Sequence, residues 1–144
     1  MAIVVAISIG TKEEIRKYSR VNGGRLSGFC LPRSGFVQLY FSDDIMAEYR
    51  EVLSRDRFRR YIPQELVNGF LEELKTVGVL VEPQEKIDVI KADPSDNMFL
   101  ECAVAANADF LITGNLRHFP SKAFRGTSIV TPEEFLQIVA LHIA

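Results

Sequence analysis

Short apolar, β-rich runs alternate with helix-period stripes along this chain, and that alternation limits the fold more than any single residue does. Ile3 to Ile9 is a continuous run suited to a central parallel strand covered on both faces. Phe36 to Phe41 reads as a second strand. Ser42 then offers a helix N-cap, with Asp43 and Asp44 in the first turn where the helix dipole favours negative charge. Ile45, Tyr49, Val52 and Leu53 supply the apolar stripe of that helix. Pro63 suits the first position of the next helix, Leu66, Val67, Phe70, Leu71, Leu74 and Val77 repeat along it, and Gly78 is placed to end it. Val79-Leu80-Val81 is a short strand closed by Pro83. A further helix begins at Asp93, and Phe110-Leu111-Ile112 and Ser128-Ile129-Val130 are the remaining strands. Thr131, Pro132 and Glu134 open the last helix as cap, first position and capping box. The pattern predicts a three-layer α/β fold with a central, mainly parallel sheet flanked by helices. Only Lys12 to Ser34 resists it, where a helix followed by a loop is all the residues support.

With 144 residues the chain suits one domain, spanning 1–144, with a full hydrophobic core. A formal charge of −2 argues against a surface coated for nucleic acid, while leaving room for a local basic patch. Cys30 and Cys102 have no CxxC spacing and read as a buried, reduced pair, which suits a cytoplasmic protein. The opening MAIVVAISIGTKEE has no basic residues ahead of its apolar run and reads as a buried strand rather than a signal peptide. No stretch approaches the roughly 20 apolar residues of a membrane span, so no membrane partner is expected.

The chemistry concentrates between Asp93 and Pro120, DPSDNMFLECAVAANADFLITGNLRHFP. Asp93 and Asp96 stand at a helix start, and a strand ends in Thr113-Gly114-Asn115. Open parallel sheets bind ligands in the crevice beyond the carboxyl ends of their strands. Oxygen donors from a helix start and a strand end therefore point to a divalent metal. Capping alone explains one of the two aspartates: Asp93-Pro94 reads as an N-cap with a first-position proline. Asn115 can lend a neutral carbonyl to a hard cation or hold a water. Arg117 and His118 could meet a phosphate, although a lone loop histidine is more often incidental. Glu48 projects with the apolar stripe of its helix, whereas Glu51 faces solvent. A carboxylate there is costly unless it meets an arginine at the rim or binds a cation. Arg55, Arg57, Arg59 and Arg60 are either a solvated helix end or a contact for nucleic-acid phosphates.

SDDIMAEYREVLSRDRFRRYIP, the Asp93–Pro120 segment and IVTPEEFL together resemble the PIN domain family, and within it the branch described as toxin components of toxin–antitoxin systems. The likeness covers about Phe36 to Leu136. It implies a three-layer α/β fold and an endoribonuclease that uses Mg²⁺ or Mn²⁺ held by clustered acids. Glu48 matches the acid of the second helix, Asp96 the acid of the DN pair, Asp93 the outer acid, and Asn115 the position after Thr-Gly. The resemblance thus makes Glu48, Asp96 and Asn115 catalytic, with Asp93 joining them as metal ligands. Arg55, Arg57, Arg117, Ser8 and Thr113 are the expected substrate contacts. One position departs from the pattern. Members end their first strand with an aspartate, and Ile7 stands in its place, with Ser8 keeping the hydroxyl and Ile9 replacing a polar residue.

These readings lead to a metal-dependent endoribonuclease acting on single-stranded RNA, with an antitoxin protein and a second copy of the chain as expected partners, and a site weakened at Ile7. The alternative is a catalytically impaired PIN module that binds RNA or protein. A generic nucleotide-binding protein is disfavoured, because no GxGxxG or GxxxxGK[ST] loop follows the first strand.

Overall fold

The computed structural model of the chain describes residues 4–9 and 37–143. The helix and loop expected between Lys12 and Ser34, with Cys30, Glu13 and Glu14, lie outside them, as does Phe36. The described elements are β1 (Val4–Ile9), β2 (Val37–Phe41), α1 (Asp43–Leu53), the single turn α2 (Asp56–Arg59), α3 (Gln64–Val77), β3 (Val79–Leu80), α4 (Asn97–Ala106), β4 (Phe110–Thr113), β5 (Ala123–Phe124), β6 (Thr127–Val130) and α5 (Pro132–Ile143). Short 3₁₀ turns at Pro94–Asp96 and Leu116–His118 flank α4 and β4.

The strands form one sheet in the order β3-β2-β1-β4-β6-β5. β2 pairs parallel with β3, and β4 pairs parallel with β6. These four strands share one direction, and helices cover both faces, so the fold class is the α/β arrangement expected. Residues alternate between the faces with the period of two that strands impose. Ala6, Leu111 and Ile129 point into the larger core, beneath α1, α3 and α4, and Phe41 joins it from the last position of β2, where the alternation ends. Ile7, Val37 and Val130 point the other way, against Phe135 and Val139 of α5. There Phe110 and Phe135 meet edge to face at 5.9 Å, a preferred aromatic geometry.

β1 corrects an expectation. It is central, but it runs antiparallel to both neighbours, with Ile7 opposite Leu39 on β2 and Phe110 on β4. The residues of a doubly covered strand are apolar on both faces whichever way the strand runs, so composition carries no information on direction. The hairpin partner β5 was also not expected. Its turn to β6 is Arg125-Gly126, with φ of 45° and 87°, the all-positive pair that two-residue hairpins require. No helix among the described residues is long and apolar enough to cross a membrane.

Local chemistry explains the helices. Ser42 Oγ accepts from the Ile45 N–H at 3.2 Å, capping α1. At α5, Thr131 Oγ1 accepts from the Glu134 N–H and Glu134 Oε2 from the Thr131 N–H, both at 3.2 Å, which is the reciprocal capping box. Pro63 sits one residue earlier than expected, at the cap of α3 rather than its first turn. The stripe of α3 is also narrower than its periodicity suggests. Val67, Leu71 and Leu74 are buried, while Leu66 and Phe70 remain 64% and 44% exposed. α4 is different, burying Phe99, Leu100, Glu101, Cys102 and Ala103 against the sheet and α1.

Ile7 is only 5% exposed and lies in the apolar layer under α5. An aspartate there places an unpaired carboxylate among hydrocarbon side chains. Ile7→Asp is expected to cost about 3–5 kcal/mol, lowering the thermal midpoint by roughly 10 °C, with no gain in Mn²⁺ affinity by calorimetry. Unchanged stability together with tighter Mn²⁺ binding would place residue 7 at the crevice instead.

Candidate metal centre

A single asparagine builds the floor of the site. Asn97, the first residue of α4, accepts through Oδ1 from the N–H groups of Val89 (3.1 Å) and Ile90 (2.9 Å). Its Nδ2 donates to the carbonyls of Ile90 (3.0 Å) and Pro94 (2.9 Å). That spends the full capacity of the amide and pins the incoming loop to the helix start. Within the pinned turn, Asp93 Oδ1 accepts from Ser95 Oγ at 2.6 Å and from the Ser95 N–H at 3.3 Å, while the Asp96 N–H donates to the Asp93 carbonyl. Asp93 is thus the cap the sequence suggested. Asp96 is not needed for capping.

Asp96 is the unusual group. It is 2% exposed, and its Oδ1 is buried without a hydrogen-bond partner. Its Oδ2 lies 3.3 Å from His118 Nδ1. An orphaned carboxylate oxygen is rare in a folded interior and calls for a bound cation or water. Ligand atoms of Asp93, Asp96 and His118 all fall within 4.8 Å of one another. The residues present therefore fit a divalent ion.

Glu48 faces this cluster from α1. Burial is the main cause that raises its pKa, helped by Glu51, Asp93 and Asp96, while Arg55 pulls it down. Asp96 is likewise raised, first by burial, against the lowering effect of the His118 hydrogen bond. Asn115 begins the turn after β4, with Nδ2 3.0 Å from His118 Nε2 and 3.3 Å from Nδ1. Glu48, Asp93, Asp96 and Asn115 thus all belong to one neighbourhood.

The expected substrate contacts divide. Arg55 is exposed at the mouth, held bidentately by Glu51 at 2.9 and 3.1 Å, and its charge acts on Glu48 and Asp93. Arg57 is exposed on α2 with its guanidinium over the Phe58 ring, and Arg117 is exposed one residue before His118. Thr113 is fully buried, and its Oγ1 accepts from the Asn115 N–H at 3.0 Å. It shapes the turn and offers no surface to a substrate. Ser8 is corrected outright. Because β1 is reversed, Val4 stands opposite Thr113 and Ser8 opposite Gln38, about 13 Å along the strand from the crevice at 3.3 Å per residue. The same reversal takes Ile7 away from the acids, so the missing first-strand aspartate is not replaced at this position; β1 carries no acid at all.

Two residues were undervalued from sequence. His118 looked incidental, yet the 3₁₀ turn Leu116–His118 swings it onto Asp96; its three-residue spacing from Asn115 was the available signal. Asn97 looked like part of an acidic motif and is instead its anchor.

A family model described as PIN domain matches residues 27–117, more than half of the chain. The chain belongs to the PIN domain family, generally a family of nucleases whose members typically use a divalent metal. Neither a curated protein nor a solved structure gives a significant match. The matched segment holds Glu48, Asp93, Asp96, Asn97 and Asn115; β1 lies before it and His118 one residue beyond it.

Two outcomes follow for the metal-free protein. Asn97→Ala strands the Ile90 N–H and carbonyl in a buried environment and is expected to cost about 3–5 kcal/mol in urea unfolding. Asp96 behaves oppositely. Its folded pKa is raised, so its stabilising contribution is present at acid pH, below the ordinary carboxylate value, and is lost as pH rises through the folded pKa. Asp96→Asn should therefore be more stable than wild type at pH 7, with the gap closing in acid. A wild type more stable at neutral pH would contradict the assignment of Asp96 as a strained, cation-seeking carboxylate.

Proposed function

We propose that the chain is a divalent-metal-dependent endoribonuclease acting on single-stranded RNA, of the toxin-like kind restrained by an antitoxin protein. The observation that carries this reading is Asp96, buried with one oxygen unpartnered beside Asp93, His118 and Glu48. Asp93 and Asp96 would hold Mg²⁺ or Mn²⁺, with Glu48 facing the ion from α1. When bound, such an ion lowers the pKa of a water and neutralises charge developing on the phosphoryl oxygens. The protein supplies the rest. Asn97 fixes the two aspartates, Asn115 orients the His118 ring and offers an amide to a water or phosphate, and Arg55 and Arg117 present exposed cations to an RNA backbone. Glu48, half-buried with a raised pKa, is placed to hold a proton taken from an attacking water. A cytoplasmic setting and a homodimer fit this reading.

A second reading has one observation in its favour. The crevice-side end of β1 contributes no carboxylate, so the ligand charge is smaller than in family members that carry the first-strand aspartate, and the module would bind RNA or protein without cutting. Cleavage of a fluorogenic single-stranded RNA in Mn²⁺ separates the two. For the nuclease, wild type cleaves, EDTA stops it, and Asp96→Asn lowers the rate by about 100-fold or more. RNA binding by anisotropy with wild-type cleavage no faster than Asp96→Asn would establish the binding module.

A further inference from the structure

We propose that His118 is itself a ligand of the cation, so that Asp93, Asp96 and His118 form a mixed oxygen–nitrogen set favouring Mn²⁺ over Mg²⁺. This rests on the metal-site reading above and concerns which ion the site takes. Metal–ligand bonds of about 2.1 Å place adjacent octahedral donors about 3.0 Å apart and opposite donors about 4.2 Å apart. His118 Nδ1 and Asp96 Oδ2 are separated by 3.3 Å, close to the adjacent spacing. The three ligand atoms span no more than 4.8 Å, which a small side-chain adjustment closes to the opposite spacing.

A hydrogen bond between His118 and Asp96 does not by itself account for the arrangement, because it leaves Asp96 Oδ1 buried and unpartnered in a side chain 2% exposed. An ion between the imidazole and the carboxylates engages that oxygen when Asp96 binds it through both Oδ1 and Oδ2. Asn115 Nδ2 lies 3.0 Å from Nε2 and donates to it, so without an ion the ring proton sits on Nδ1, toward Asp96 Oδ2. An ion at Nδ1 requires that proton to move to Nε2, where Asn115 accepts its hydrogen bond once the amide turns its Oδ1 to the ring. Mg²⁺ prefers oxygen donors and retained waters, whereas an imidazole nitrogen suits transition metals. The nitrogen therefore biases the site to Mn²⁺ at the expense of Mg²⁺.

The deciding measurement is electron spin-echo envelope modulation of Mn²⁺ bound to the full chain. Wild type should show nitrogen modulation, lost in His118→Gln and retained in His142→Gln, the chain having two histidines. By calorimetry His118→Gln should weaken Mn²⁺ about 10-fold and leave Mg²⁺ nearly unchanged. Affinity loss alone does not decide, since an outer partner of a ligand also costs 10- to 100-fold. Mn²⁺ bound without nitrogen modulation, yet abolished by Asp96→Asn, overturns the His118 assignment and leaves the carboxylate site standing. Modulation that survives His118→Gln also overturns it. No Mn²⁺ binding to wild type removes both.

Discussion

Everything at the candidate centre depends on the four hydrogen bonds of Asn97. The loop before α4 has little regular structure, and its backbone groups at Val89, Ile90 and Pro94 need partners, those of Ile90 where water is excluded. One amide side chain satisfies them while opening the helix. The loop is then fixed relative to α4, and α4 is fixed by its burial beneath the sheet. Asp93 and Asp96 inherit that rigidity. Two acids are thus brought together without help from one another, on a scaffold whose stability comes from amide pairing and apolar burial.

The acids themselves work against folding. Burial raises the pKa of both Glu48 and Asp96, and neither gains enough from neighbours to offset it. Groups that oppose the fold at neutral pH and converge on one crevice are a mark of function rather than of architecture. Glu101 shows the contrast. It is also buried on α4, but Lys86 lies 3.7 Å away across the surface, an ordinary structural pairing.

Much of this was legible in the residues. Caps at Ser42, Asp93 and Thr131 follow from local chemistry, so they read correctly, as did the position of Glu48 on the stripe of α1. Direction was not legible: the apolar run of β1 fits either orientation, and the places assigned to Ile7 and Ser8 depended on choosing one. Exposure of Leu66 and Phe70 was hidden too, since periodicity reports which face is apolar and not how wide a neighbour covers it. His118 escaped because its partner lies 22 positions earlier in the chain, a relation only the fold creates.

The reversed β1 has a consequence for how the molecule assembles. It is the one strand joining the β3-β2 pair to the β4-β6-β5 group, and it meets β4 across more than a hundred residues of sequence. Pairings that close so long a loop are slow to form. The sheet is therefore completed late, as two ribbons knit through a central thread. Glu48 follows β2 and the two aspartates precede β4, so the acids come from the two ribbons that this thread holds side by side.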